Sequence, residues 1–509
     1  PVSAERAATY RAEGLWGARL LADGIEAAAA ERPDALAVAD DERGLTWAEF
    51  ADAVAGGVGV LRAAGVSPGG ALVIVTGNTV EGAVAFHAAV RAGAVVALLD
   101  RRAGSADVAF ALDALGDDAR LVAPASERER LAAERPDVVG LEAFGVPSAP
   151  SPWDEPDRAG AAVVMFTSGT TGTPKGVVHS LDTLTAATAN MARITSCGSD
   201  DVVFLVSPLA SITGVMQLML TADQHAALVL TDRFDPAATL DRIAEVGATV
   251  LGGAPVIPER LLGEAVERGA DEVSFRTLAL GGAMLPRPVL ELAMDRFGIE
   301  ISRVYGSSEA PNFTGSVPGD SREQRLADDG ALLPGSEVRV GSARHGDEGM
   351  VRGPGVFLGY LDAEHNTAAF EDGWYRTGDL VEVTDSRLTV TGRLTEVVNR
   401  NGLKISPAEV DQALATMPGL VEYACFGLPD TETGERLVLA ARPAPGATVG
   451  LADVVGHLLA EGVARRKLPE QVVFWDDALP RTASGKVIRS QLVREAPGKR
   501  SEYAERLRP

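Results

Sequence analysis

Four stretches of this chain carry side chains whose types and spacing suit phosphate and carboxylate chemistry. Phe166-Thr-Ser-Gly-Thr-Thr-Gly-Thr-Pro-Lys-Gly-Val-Val-His-Ser180 holds six hydroxyl residues, three glycines and one lysine. Glycines let the backbone approach an anion closely, and successive N–H groups with hydroxyls can cradle phosphate oxygens. Gly-x-x-x-x-Gly-Lys-Ser/Thr cannot be laid on it, so it is not a Walker A loop. Taken alone, the same composition also suits a mobile surface loop. Tyr305-Gly-Ser-Ser-Glu309 puts a carboxylate behind a glycine-serine turn, where it is either a hard oxygen ligand or a solvated side chain. Gly373-Trp-Tyr-Arg-Thr-Gly-Asp-Leu380 ends a tight turn on an aspartate, and Pro480-Arg-Thr-Ala-Ser-Gly-Lys-Val-Ile-Arg489 sets a lysine after Ser-Gly, ordinarily a solvated turn position.

Such groups need elements to hold them, and the chain supplies an alternation. Ala71 to Val75, Val95 to Leu99 and Leu121 to Ala123 read as buried strands, with helices expected over Val80 to Ala92 and Ala106 to Leu115. Short apolar strands alternating with helices imply parallel βαβ units. The run Ala161 to Phe166 leads into the glycine-threonine loop, and a helix is expected from Leu181 to Ile194. Strands then follow at Val202 to Val206, Ala227 to Leu230, Thr249 to Pro255 with its turn, and Thr277 to Ala283, with helices over Gly214 to Leu220 and Pro236 to Val246. Thr46, with Glu49 three residues on, predicts a capped helix start. Ligands collect where strands end in open α/β sheets, and several of these ends carry Gly, Ser or Thr. Beyond Pro334 the short strands Val338 to Val340, Met350 to Arg352 and Leu388 to Val390 read as a small β-rich subdomain. From Gly392 onward the texture is that of a separate α+β domain.

Composition bounds the function. At 509 residues the chain is too long for one core. With 71 acidic against 47 basic residues the net charge is −24, which argues against nucleic-acid binding. Cys197 and Cys425 lie far apart without ligand spacing, so neither a disulfide framework nor a zinc site is expected. No apolar run approaches the ~18 residues that span a bilayer, and residues 1–20 lack a signal-peptide core. The expectation is a cytoplasmic enzyme with no membrane partner.

Together the four stretches resemble the adenylate-forming superfamily of acyl-CoA synthetases, aryl-acid ligases, adenylation domains and luciferases, in the correct order from Tyr10 to Leu492. The resemblance implies a large N-terminal α/β domain of parallel βαβ subdomains with a small β-rich subdomain, residues 1–394, and a smaller mobile α+β catalytic domain, residues 395–509. It implies that Thr167, Ser168, Gly169, Thr170, Thr171, Gly172 and Lys175 bind the phosphates of ATP. Gly281, Gly282 and Ala283 would lie along the adenine and acyl group, beside Tyr305. Glu309 would hold Mg²⁺ and Ser308 the α-phosphate, while Asp379 and Arg393 would hold the ribose. Lys486 would catalyse adenylation, Thr395 would be the hinge, and Gly402 and Lys404 would line the thiol's path. Without the resemblance, Thr395 reads equally as a linker residue and Gly402 to Lys404 as an exposed hairpin. The implied reaction joins a small aryl, alicyclic or short to medium acyl carboxylic acid to coenzyme A through an acyl-adenylate. The alternatives are a ligase loading the phosphopantetheine of an acyl carrier protein and a non-catalytic nucleotide binder.

The acyl pocket implied by resemblance comprises Ser211, Ile212, Gly214, Met216 and Gly306. Ser211 stands where the family often has a histidine, so the wall there is expected to be roomier and able to donate a hydrogen bond. No acid lies between Leu209 and Thr213, against an amino-acid substrate, and Ile212, where dihydroxybenzoate-type ligases usually carry Asn, argues against a 2-hydroxybenzoate. Met216, Leu218 and Leu220 suggest an apolar cavity, although such residues are usually core.

Overall fold

A computed structural model describes residues 2–17, 21–131, 137–146, 156–167, 174–253, 256–281, 287–482 and 485–507. Among them are three sheets, of seven, fourteen and six strands. In the first, Val163–Thr167, Val95–Asp100, Ala71–Thr76, Arg120–Ala123 and Val139–Gly140 run parallel in that spatial order. Leu72, Val73, Ile74 and Val75 have no exposed surface. Helices cover both faces of such a strand, which is why it reads as an unbroken apolar run rather than an alternating one. The helix Trp47–Ala63 starts with the expected reciprocal cap: Glu49 N–H donates to Thr46 Oγ1 at 3.3 Å, and Thr46 N–H to Glu49 Oε2 at 2.9 Å.

The second sheet has a parallel centre, Leu36–Ala39, Ala227–Leu230, Val202–Leu205, Val250–Gly253, Thr277–Gly281 and Glu300–Tyr305. The helices Leu181–Thr195 and Ile212–Gln224 pack together, and with the first sheet they enclose the largest core cluster. Val256–Glu267 belongs to a second cluster.

The strands of the β-rich stretch expected beyond Pro334 are present, and they join the second sheet. From Glu300–Tyr305 the hydrogen-bond ladder runs through Thr314–Gly315, Ala331–Leu332 and Arg387–Arg393 to Trp374–Thr384 and Glu348–Arg352. Short antiparallel pairs extend the parallel sheet, a continuity that local texture does not reveal. Lys175–His179, read only as the tail of a loop, is a strand antiparallel to Val163–Thr167. Gly359–Tyr360 pairs with its other edge.

Several contacts stitch these layers. Asn78, after the Ala71–Thr76 strand, donates to the carbonyls of Ser207 and Thr231 and accepts from Leu209 N–H at 2.8 Å. Trp16 Nε1–H donates to the Pro354 carbonyl at 2.9 Å. The third sheet takes strands from Val398–Arg400 onward and encloses its own core around Val410, Leu439 and Val472, a separate C-terminal domain. No helix among the described residues is long and apolar enough to cross a membrane.

Candidate active site

The ends of the parallel strands of the second sheet meet the hairpin of the first. Thr167 and Lys175 face each other across that hairpin and close the glycine-threonine loop between them. Lys175 Nζ lies 5.1 Å from the centre of the Tyr360 ring, a cation–π contact that fixes the lysine at the mouth of the loop. Ser168, Gly169, Thr170, Thr171 and Gly172 lie outside the described residues, as do Gly282 and Ala283.

Opposite the loop, the Tyr305–Glu309 turn is built by its own side chains. Ser307 Oγ accepts from the N–H groups of Glu309 and Ala310 at 3.2 and 3.3 Å. Gly281, Gly306 and Gly214 are each packed against neighbouring backbone closely enough to exclude a side chain. His179 Nε2 lies 2.7 Å from the Ser308 carbonyl, and Tyr360 donates its hydroxyl to Glu309 Oε1 at 2.8 Å. No described residue hydrogen-bonds the Ser308 hydroxyl or forms an ion pair with Glu309, so both remain available to a ligand.

Beyond the turn, Asp379 and Arg393 are cross-strand partners, with Arg393 Nε 2.9 Å from Asp379 Oδ1. Tyr305 donates its hydroxyl to Asp379 Oδ2 at 2.9 Å. Burial pushes the Asp379 carboxyl above the ordinary carboxylate range, while Arg393, Tyr305 and Lys486 pull it back. Burial and the Asp379 charge lift the Tyr305 hydroxyl well above its ordinary value, so it stays a donor.

Lys486 reaches this group from the C-terminal domain. Thr482 N–H donates to the Lys486 carbonyl at 2.8 Å and Lys486 N–H to Thr482 Oγ1 at 3.1 Å, closing a tight loop. Gly485 sits at φ +83°, and a side chain there would put its Cβ 2.7 Å from Val256 Cγ1. The loop is thereby seated on the Val256–Glu267 helix of the larger domain. Burial lowers the Lys486 ammonium's pKa, as does Arg393; Asp379, Glu396 and Glu309 oppose them.

The other expected residues are placed differently. Thr395 is exposed in the turn between Arg387–Arg393 and Val398–Arg400. Gly402 and Lys404 stand exposed on the hairpin of Val398–Arg400 with Leu403–Ile405. Ser211 is the N-cap of Ile212–Gln224: its hydroxyl donates to the Pro208 carbonyl at 2.6 Å and accepts from Gly214 N–H at 3.1 Å. The free donor expected at Ser211 is therefore corrected, because the helix start consumes it. Met216 is 1% exposed inside the main core, so it presents no open wall in this structure, and Ile212 is only half-buried beside that core. Sequence reasoning missed His179, Ser307 and Tyr360. The histidine stood within the quoted loop motif, but its partner is 129 residues away and no local pattern signals that pairing.

A phosphate-type loop sequence, a buried aspartate paired with an arginine and a lysine from a second domain, set at the strand ends of an α/β sheet, define an adenylate-forming enzyme. The chain belongs to the AMP-binding enzyme family: the model of the AMP-binding enzyme matches residues 25–361, and that of the AMP-binding enzyme C-terminal domain matches 409–486. It is 32% identical over 500 residues to the 3-[(3aS,4S,7aS)-7a-methyl-1,5-dioxo-octahydro-1H-inden-4-yl]propanoyl:CoA ligase of Mycobacterium tuberculosis, covering 90% of this chain and 96% of the relative. It is 31% identical to the salicyl-AMP ligase / salicyl-S-ArCP synthetase of the same organism, covering 97% and 94%. Among solved structures, o-succinylbenzoate CoA synthetase from Bacillus subtilis in complex with its acyl-adenylate intermediate superposes with a TM-score of 0.81 at 25% identity, over 92% of this chain and 97% of that one.

Proposed function

We propose that this protein is an AMP-forming acid–thiol ligase that makes acyl-CoA. In the first half-reaction a carboxylate oxygen attacks the α-phosphorus of ATP and pyrophosphate leaves. In the second, the thiol sulfur attacks the acyl carbon of the adenylate, AMP leaves and the thiol proton passes to solvent. The observation that carries this reading is the grouping of Asp379, Arg393 and Tyr305, together with the Lys486 loop of the C-terminal domain seated at Gly485 on the Val256–Glu267 helix of the larger domain.

Each group has a task suited to its surroundings. Asp379 accepts the ribose hydroxyls, held in place by Tyr305 and Arg393. Lys486, a point charge on a flexible stem, meets the attacking carboxylate and the α-phosphate together. Thr167, Lys175 and the loop between them take the outer phosphates, with Ser308 on the α-phosphate. Glu309, whose carboxylate has one hydrogen bond and no ion pair among the described residues, suits the Mg²⁺ of the nucleotide. When bound there, Mg²⁺ would neutralise phosphate charge.

The boundary between static and mobile parts falls between residues 394 and 395, with Thr395 as pivot. Rotation would bring Gly402 and Lys404 from their exposed hairpin to the thiol's path. ATP and coenzyme A are both cytoplasmic metabolites, which supports that location. A second reading, transfer to a carrier protein's phosphopantetheine, is favoured by the salicyl-S-ArCP synthetase relative. Pyrophosphate release with MgATP and a panel of carboxylic acids tests the first half-reaction. Thioester formation with coenzyme A against a phosphopantetheinylated carrier protein separates the acceptors; no pyrophosphate with any acid would overturn the ligase reading.

A further inference from the structure

Gln217 lies on the Ile212–Gln224 helix with no exposed surface, and neither Nε2 nor Oε1 has a hydrogen-bond partner. Buried side-chain amides are nearly always paired, because leaving one unpaired forfeits the bonds it made to water. The helix does not use this amide: Thr221 Oγ1–H bonds to the Gln217 backbone carbonyl instead. Its direction is set by what it touches. A Cβ added at Gly252 would stand 2.9 Å from Gln217 Nε2, so the amide lies over a position of the Val250–Gly253 strand that has no side chain to cover it. The adjoining Gly253 is equally bare, with Ser207 Oγ beside it.

The location is at the candidate site. Gly252 is one residue inside the end of its strand, in register with Ala279 two residues before Gly281. From the strand that carries Tyr305 it is separated by Thr277–Gly281, two strand spacings or roughly 10 Å across the sheet. An acid whose carboxylate is activated beside Tyr305 and Lys486 would direct its far end toward Gln217 along these glycines. An amide offers a donor and an acceptor, both neutral.

We infer that Gln217 is a specificity-determining residue, and that the acid carries a neutral oxygen substituent, a hydroxyl or a ketone, at the end remote from its carboxylate. This deepens the ligase reading and rests on it. A site that hydrogen-bonds a substrate oxygen discriminates strongly against the analogue lacking it, since its own polar group is then left unpaired.

The test is a set of matched acids on benzoate, cyclohexanecarboxylate and phenylpropanoate frames. Each frame is offered bare, with a hydroxyl or ketone farthest from the carboxylate, and with the hydroxyl next to it. Pyrophosphate release gives kcat/KM for wild type, Gln217→Leu and Gln217→Met, with thermal melting as a folding check. The expected result is a preference of more than about tenfold for a remotely oxygenated acid over its bare parent. Both variants should abolish that preference while leaving the bare parent turned over at least as well. The hydroxyl-to-ketone ratio then tells whether Oε1 accepts as well as Nε2 donating. Equal turnover of bare and remotely oxygenated acids by wild type, or a preference retained in a folded variant, overturns the proposal and leaves Gln217 as the seat of a buried water. Pyrophosphate release with none of these acids or any other overturns the ligase reading itself.

Discussion

His179 and Ser308 bind the two large sheets together: the imidazole Nε2, at the end of a strand of the first, lies 2.7 Å from the Ser308 carbonyl, past a strand end of the second. A carbonyl only accepts, so Nε2 carries the proton and Nδ1, 3.0 Å from Thr183 Oγ1, is the acceptor. Burial lowers the ring's pKa to about 4 and keeps it neutral. His179→Ala should let the Ser307–Glu309 turn drift and lower adenylation kcat by about 10- to 100-fold, in line with loss of a positioning contact. His179→Gln, which can still donate, should recover part of it. Pyrophosphate release with varied MgATP checks this; equal kinetics in wild type and His179→Ala would mean that the contact merely packs.

Lys486 divides the two half-reactions. Lys486→Ala should lose acyl-adenylate formation by at least about 100-fold, as expected for removal of a preorganised charge. Thioester formation from a supplied acyl-adenylate should be spared. Equal loss in both assays would remove the role assigned to it.

Thr395→Pro should uncouple them in the opposite sense. The turn is held by Leu394 N–H on the Gly378 carbonyl and by Glu396 and Val397 N–H on the Arg393 carbonyl, none of which proline at 395 removes. Proline fixes φ, so the fold should survive while rotation is blocked. Adenylation should persist and thioester formation collapse; full overall turnover would put the pivot elsewhere.

Much of this was legible in the residues. The strand–helix alternation from Ala71 to Ala123 follows from uninterrupted apolar runs, and the Thr46–Glu49 cap from local spacing alone. The ladder that carries Glu300–Tyr305 into Trp374–Thr384 was not legible, because two-residue strands have no periodicity to detect. Ser211 misled for a related reason. A serine before a helix can be an N-cap as well as a pocket wall, and only its hydrogen bonds to Pro208 and Gly214 show that its hydroxyl is already engaged.

Ser211 consequently changes what its replacement should do. Ser211→Ala should destabilise by about 1 kcal/mol through loss of the cap, and Ser211→Asp should retain most of it. Denaturant midpoints of the two variants check the order. Equal loss in both would show that the hydroxyl contributes nothing to the helix start.

His87 sets a pH dependence. It is buried against Phe50 and Phe86, and burial lowers its pKa to about 4 from an ordinary 6.5 despite a hydrogen bond to the Leu218 backbone. The folded state therefore holds this ring neutral while the unfolded state protonates it. The contribution is fully present above pH 6.5 and is lost as pH falls toward 4, by about 1.4 kcal/mol per unit at the steepest. In His87→Leu that part of the slope should vanish from denaturation curves between these limits. An unchanged slope would mean that His87 takes up its proton without unfolding.

The continuous ladder from Tyr305 to Asp379 and Arg393 has a consequence for the order of events. Every group assigned to the ribose, and the turn assigned to the α-phosphate, belongs to one hydrogen-bonded frame that ends at Arg393, just short of the proposed pivot. Lys486 alone comes from beyond it. Under the proposed rotation the lysine withdraws and the thiol hairpin arrives while the nucleotide half of the adenylate stays clasped, so the labile mixed anhydride would change partners without being set loose in water.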